Sequence, residues 1–315
     1  MPEATLADDR RACRQLLREG SKSFHAASLL LPQRVRDDAG AVYAWCRVAD
    51  HAVDRTDRPS AALESIRAGL ERVYAARPQG AVERAFADVA FRTRISRDIP
   101  EAMLEGFEWD VNGREYTGKA AVIDYCVRVG STVGTMMALV MDRREPDTLA
   151  AACRLGVAMQ LTNIARDVGE DARAGRLYLP ADTLREAGVN PEAWLTSPTP
   201  ADGVRSTVRL LLDDADLLYA SAWSGIADLP ARCRPAIRAA ALVYADIGRK
   251  VRQADCDSVS RRAWTGKIEK ARLLVRSLGH RPGAWVRSPL SEAESEIVEL
   301  ADDRAAFLIE AAAGS

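Results

Sequence analysis

Gln160-Leu161-Thr162-Asn163-Ile164-Ala165-Arg166-Asp167-Val168-Gly169-Glu170-Asp171 sets groups that bind cations or phosphate at helical spacing. At about 100° per residue from Gln160, Asn163 falls at about −60°, Asp167 at about −20° and Asp171 at about +20°, one longitudinal stripe. The residues leading in, Leu155, Val157, Ala158, Met159 and Leu161, are apolar, which predicts a largely buried helix. A buried row of carboxylates is costly unless a cation sits against it. A second helix, predicted over 34–54, repeats the pattern. Measured from Arg47, Tyr43 lies at about −40°, Asp50 at about −60° and Asp54 at about −20°, while Ala41, Trp45, Val48, Ala49, Ala52 and Val53 occupy the other side. One acidic i,i+4 pair is ordinarily solvated surface, unfavourable by roughly 0.2–0.5 kcal/mol. Two such pairs, each beside an arginine (Arg47, Arg166) and each on an apolar helix, point to a site. The chemistry that suits them is metal-assisted departure of diphosphate. Mg²⁺ is held by a few carboxylates plus phosphate oxygens, and arginines neutralise the remaining charge.

The elements that must carry these stripes are helical. Ala, Leu, Arg and Glu dominate and β-branched runs are short, which predicts an all-α protein. Helices are expected near 5–19, 22–30, 34–54, 60–75, 80–94, 98–112, 119–129, 131–141, 146–172, 180–187, 201–227, 231–254, 258–278 and 291–312. The breaks at Arg77-Pro78-Gln79-Gly80, Asp142 to Pro146, Gly175, Ser197-Pro198-Thr199-Pro200 and His280-Arg281-Pro282-Gly283 are too short to be domain linkers. One helical domain over 1–280 is expected, followed by a tail, 281–315, that is one amphipathic and partly mobile helix.

Composition excludes several classes. Hydrophobic residues make up 48% of the 315 and charged residues 28%, as in a soluble protein with a substantial core. A formal net charge of −1 argues against nucleic acid as a partner. Six scattered cysteines with no C-x-x-C pair read as reduced thiols in a cytoplasmic protein, and three histidines make a zinc site improbable. The charged start, Met1 to Arg18, is no signal peptide, and the longest apolar run, Met136 to Met141, cannot span a bilayer. Contact with a membrane, if the chemistry requires it, is expected at the surface only.

These motifs together resemble the squalene/phytoene synthase family. Tyr43-Ala44-Trp45-Cys46-Arg47-Val48-Ala49-Asp50-His51-Ala52-Val53-Asp54 is similar to its first aspartate-rich motif. Gln160 to Asp171, with Gly175-Arg176-Leu177-Tyr178-Leu179-Pro180, is similar to its second. Ser21-Lys22-Ser23-Phe24 resembles its N-terminal diphosphate-contacting segment, and Tyr244 and Arg261-Arg262-Ala263-Trp264 its C-terminal elements. The match spans roughly residues 15–275. The resemblance implies the all-α isoprenoid-synthase bundle, with the two motifs facing across a central cavity. It implies that Asp50, Asp54, Asn163, Asp167 and Asp171 hold Mg²⁺, with Mn²⁺ as the alternative ion, directly or through diphosphate. Ser21, Lys22, Ser23, Tyr43, Arg47, Gln160, Asn163, Arg166 and Tyr244 are implied to bind diphosphate or guide the intermediate, and Tyr43 and Arg47 to join the four aspartates in catalysis. His51 departs from the Asp-Asp-x-x-Asp of bacterial carotenoid members. At about +40° it sits at the edge of the polar stripe and reads as peripheral and solvated.

The implied reaction is head-to-head condensation of two prenyl diphosphates. The wording around Asp50 and from Val243-Tyr244 to Cys256 is most like bacterial carotenoid-pathway members, which implies two C20 geranylgeranyl diphosphates, phytoene as product, and no NADPH. The alternatives are a squalene, dehydrosqualene or presqualene diphosphate synthase acting on C15 farnesyl diphosphate, or a catalytically dead relative that binds lipid. The last is disfavoured because all four aspartates remain. Chain-elongating enzymes and cyclases carry a different second motif. Gly130-Ser131-Thr132-Val133-Gly134-Thr135-Met136-Met137 reads as close helix packing that can also wall a prenyl cavity. Phe107, Trp109, Asp110 and Tyr116 read as core, or as aromatic faces for a carbocation. Arg261-Arg262 read as a solvated turn, or as contacts to a second diphosphate or acidic lipid headgroups. Lipid substrates make peripheral membrane contact an expectation, and the sequence sets no oligomeric state.

Overall fold

In a computed structural model of the protein the described residues are 5–54, 56–279 and 291–314, with 54, 292 and 293 described by backbone alone. Among them there is no strand; the chain is all-α. The helices run α1 (Leu6–Gly20), α2 (Lys22–Ser28), α3 (Gln33–Asp54), α4 (Pro59–Tyr74), α5 (Gly80–Arg92), α6 (Asp98–Val111), α7 (Lys119–Cys126), α8 (Thr132–Val140), α9 (Pro146–Arg173), α10 (Ala181–Glu186), α11 (Pro191–Thr196), α12 (Asp202–Trp223), α13 (Arg234–Gln253), α14 (Lys267–Leu278) and α15 (Glu292–Ala313).

Two of these differ from the sequence expectation. The helix expected over 258–278 begins at Lys267; Asp257 to Gly266 form a loop, and the Glu269 carboxylate accepts from the Gly266 N–H at 2.9 Å at the true start. The short α11, capped by Asn190 and opened by Pro191, lies in a stretch read as non-helical.

Helix α9 is the central element. Starting behind Pro146, it buries Leu149, Cys153, Val157, Leu161, Ile164 and Val168, a face that packs against α12, α13 and α15. The chain from α7 into α8 passes through a π-helical turn, Val127–Ser131. Here backbones meet directly. A Cβ built at Gly130 would lie 2.5 Å from the carbonyl oxygen of Gly156, and one at Gly156 would lie 2.5 Å from that of Gly130. Only glycine at both positions allows α9 and the π turn to approach this closely. Ser131 closes the same seam by donating to the Cys153 carbonyl at 2.9 Å.

On the opposite side α1, α3 and α5 are tied by buried acids. Arg84 grips Asp9 through bonds of 2.8 and 2.6 Å, and Arg92 reaches Asp38, only 2% exposed, at 2.7 Å. Of the stretch expected as a C-terminal tail, 291–314 is described, and it holds α15. Its buried stripe, Ile297, Ala301, Ala305, Leu308 and Ala312, rests on the bundle, and Arg154 of α9 holds Asp302 at 2.7 and 2.5 Å.

Candidate active site

A cavity of about 250 Å³ runs beside α9. The helix faces it with Thr148, Ala152, Leu155, Gly156, Met159, Gln160 and Asn163, residues three and four apart. From Thr148 to Asn163 the axial distance is about 22 Å. α8 and the π turn supply the facing wall through Val129, Gly130, Val133, Gly134, Met137 and Met141. The Gly130–Met137 stretch therefore does both things read from it, packing closely and walling a cavity. Far from the polar end, Leu31, Met141, Ile226, Leu229 and Ala236 pack as a separate apolar cluster that closes it.

At the near end the apolar lining gives way to Tyr43, Gln160, Asn163 and Tyr244, from three helices. Phe24 joins them, its ring 5.1 Å from that of Tyr244 and 6.2 Å from that of Tyr43. Burial raises both phenols. Tyr43 is drawn back by Arg47, and Tyr244, pushed up to about 12, feels Arg166, Tyr43, Asp167 and Arg262. The α3 motif and the α9 motif thus meet at one mouth.

The carboxylates of the two motifs, beyond the cavity lining, are in different states. Arg47 donates to Asp50 at 2.7 Å. Asp167, 17% exposed, is held by two guanidiniums. Arg166 donates through Nε at 2.7 Å and also through Nη2, and Arg262 donates through Nε at 2.6 Å and Nη2 at 3.2 Å. Burial alone would raise the Asp167 carboxyl, but these bonds hold it below its ordinary value. Asp171 is pushed up to about 7 by burial and by the neighbouring Asp167, with Asp110 adding to the effect. The Asp54 side chain lies outside the described residues. His51 is half-buried at the edge of this face, less solvated than its place on the helical wheel suggested.

Arg262, which the sequence offers as a solvated turn residue or a contact to a second diphosphate or acidic lipid headgroups, instead lies on Asp167, in a loop where a helix over 258–278 is expected. The loop is brought in by Gly169, whose N–H donates to the Ser258 carbonyl at 3.0 Å, and by Arg173, which donates to the Val259 carbonyl at 2.6 Å. Asp257 fixes the turn by accepting from the N–H groups of Val259 at 3.1 Å and Ser260 at 3.0 Å. A glycine inside a long buried helix was the available signal that another backbone comes close.

The N-terminal segment is organised locally. Ser21 caps α2, accepting from the Phe24 N–H at 3.2 Å, Lys22 is exposed and Ser23 is half-buried. Phe107 and Trp109 do not line the cavity. Phe107 is core, and Trp109 lies under the guanidiniums of Arg114 and Arg128, 3.6 and 4.8 Å from its centroid. Asp110 accepts from Tyr178 at 2.8 Å and Tyr125 at 2.9 Å; these two rings stack on each other at 4.8 Å, and Tyr116 meets Tyr125 edge-on and Tyr178 at a tilt.

These residues fit a divalent metal that shares its ligands with a substrate. Among the described residues no three acids, histidines or cysteines are grouped to hold an ion unaided. The donors at the mouth are hard oxygens, and the Asn163 Oδ1 is buried without a hydrogen-bond partner while its Nδ2 donates to Gln160 at 3.2 Å. Such an arrangement can accept diphosphate and ions at the mouth and a hydrocarbon chain along α9.

A helical bundle with aspartate motifs on two helices at the mouth of an apolar cavity belongs to the isoprenoid synthases, and this chain is a member of the squalene/phytoene synthase family, whose sequence model matches residues 17–272. Its similarity to phytoene synthases is high. That of Rhodobacter capsulatus is 50% identical over 273 residues, 85% of this chain and 80% of that protein. That of Cereibacter sphaeroides is 44% identical over 316 residues, 97% of this chain and 88% of that one. Among solved structures, a dehydrosqualene synthase in complex with a ligand superposes with a TM-score of 0.79 at 29% identity, covering 87% of this chain and 96% of the other. Enzymes of this family act on prenyl diphosphates and generally require a divalent metal.

Proposed function

We propose that this protein condenses two geranylgeranyl diphosphates head to head, through a cyclopropylcarbinyl diphosphate, to phytoene, releasing two diphosphates in carotenoid biosynthesis. The observation that carries the reading is the continuity of the α9 stripe, apolar from Thr148 to Met159 and polar from Gln160 to Asp171. It supports a prenyl tail lying along the cavity with its diphosphate at the polar end. The identity to two phytoene synthases over most of the chain supports the C20 substrate.

Asp50, Asp54, Asn163, Asp167 and Asp171 would hold the divalent ions, Mg²⁺ in the first instance. When bound, they neutralise the diphosphate and favour its departure. Arg47, Arg166 and Arg262, each already paired with a carboxylate, can turn to phosphate oxygens as the aspartates take up metal. Ser21, Lys22 and Ser23, at the start of α2, would add contacts to diphosphate. The Tyr43 and Tyr244 phenols, raised by burial, stay protonated and can donate to the departing diphosphate. The apolar walls exclude water from the allylic cation, and the two chains are held in register for attack by the acceptor double bond. Proton loss closes the cyclopropane; a second ionisation, rearrangement and proton loss complete the hydrocarbon. Contact with a membrane surface follows from substrates and product that are lipids.

The test is incubation of the purified chain with Mg²⁺ and either C20 or C15 diphosphate, with and without NADPH, followed by mass analysis. A C40 hydrocarbon formed without NADPH is expected. Preferential turnover of the C15 substrate would replace this reading with that of a dehydrosqualene or squalene synthase.

A further inference from the structure

Helix α14 is built the wrong way round for a helix of a soluble bundle. Ile268 and Val275 are 72% and 70% exposed, Leu278 is 60% exposed, and Trp264, just ahead of the helix, is 74% exposed. Ile268, Val275 and Leu278 fall within about 80° of one another on the helical wheel. Exposed Lys267 borders them on one side and exposed Arg272 and Arg276 on the other. The helix carries four cations and one carboxylate in a chain whose formal net charge is −1. That carboxylate, Glu269, is already paired, accepting from Lys250 at 2.7 Å and the Gly266 N–H at 2.9 Å, so the cations of the outward face keep an excess of positive charge beside its apolar groups. Thr265 fixes the start of the helix by donating to Asp246 at 3.0 Å.

We propose that the outward face of α14, from Trp264 to Leu278, is the surface by which the protein lies on an anionic lipid bilayer. An apolar stripe edged by Lys and Arg, with a tryptophan at one end, matches the boundary between headgroups and acyl chains. Basic side chains select a negatively charged leaflet over a neutral one. Position supports the assignment, and this part rests on the function proposed above. On its inner side Leu274 packs against the buried cluster of Ala27, Ala239 and Ala240, of which Ala27 and Ala240 line the cavity. Arg262, which holds Asp167, is two residues before Trp264. The bilayer would therefore lie one helix from the prenyl cavity and beside its charged mouth.

The test uses the full chain and co-sedimentation with vesicles of phosphatidylcholine, with and without phosphatidylglycerol. The protein is expected to bind the anionic vesicles, and Trp264 to move to an apolar setting, read as a blue-shifted emission difference from Trp264→Phe. Arg272→Gln/Arg276→Gln should lower partition to anionic vesicles about thirty-fold at low salt. Ile268→Asn/Val275→Asn should lower partition even where salt screens charge. Both pairs should keep the parent's circular dichroism and its turnover of detergent-dispersed C20 diphosphate. Absence of binding by the parent, or undiminished binding by both pairs, overturns the proposal. So does a parent dimer that Ile268→Asn/Val275→Asn converts to monomer, which would make the face a contact between copies. A parent that binds vesicles but makes no C40 hydrocarbon overturns the proposed reaction and leaves the docking face standing.

Discussion

Asp167 accepts hydrogen bonds from two guanidiniums, while one turn along α9 the Asp171 carboxyl is governed by burial and by Asp167 itself. Both had been legible in the sequence as an i,i+4 pair on an apolar helix, as had Asp50 beside Arg47. What the sequence did not contain was their inequality, because the second guanidinium comes from Arg262, 95 residues away. A measurable consequence concerns pH. The folded Asp171 carboxyl, at about 7, keeps a proton that the unfolded chain, at 3.8, has released. Its contribution therefore favours the folded state at low pH and is lost as pH rises from about 4 to about 7. Calorimetric Tm values in chelator should show that loss, and Asp171→Asn should flatten it. For turnover, Asp50→Asn and Asp167→Asn are each expected to lower kcat by about 10²–10³-fold or more with the helical circular-dichroism signal unchanged. Full activity in both variants would remove these carboxylates from the mechanism.

Elements followed the sequence wherever hydrophobic periodicity was long, as in α3, α9 and α13, and departed from it where backbone proximity set the structure. The 257–266 loop contains residues that tolerate a helix, and it is a loop because Gly169, Arg173 and Asp257 hold it open against α9. Gly169→Ala tests this with a sign. In an ordinary helix interior the exchange stabilises by about 1 kcal/mol. Here the new Cβ would meet the Val259 backbone, with its Cα at 2.8 Å. A loss of about 1–3 kcal/mol is expected instead in denaturant unfolding. Displacing the loop also draws Arg262 from Asp167, so KM for the prenyl diphosphate should rise by about tenfold, as for loss of one charged contact.

Across the whole molecule the cavity is a product of packing between α8, α9, α2 and α13, and no local pattern specifies its length. That is why the motifs point to a diphosphate end and leave the choice between C15 and C20 open. Ala152 lies on the cavity stripe of α9, toward the end closed by Met141, Ile226 and Leu229. Ala152→Phe is expected to shorten the space and shift product from C40 to C30 hydrocarbon when both substrates compete, read by mass analysis. An unchanged product ratio would place the tail elsewhere.

The glycine seam has a consequence for how such a protein can diversify. Where Gly130 faces Gly156, the wall is main chain against main chain, and no side chain stands there to be exchanged. The bore is fixed by the course of the backbone, whereas its floor is made of methionines and aliphatic groups that tolerate replacement. Descendants of this chain can therefore explore new hydrocarbon lengths by small steps at the floor, with the ionisation apparatus undisturbed, while any change at the seam must alter two helices at once.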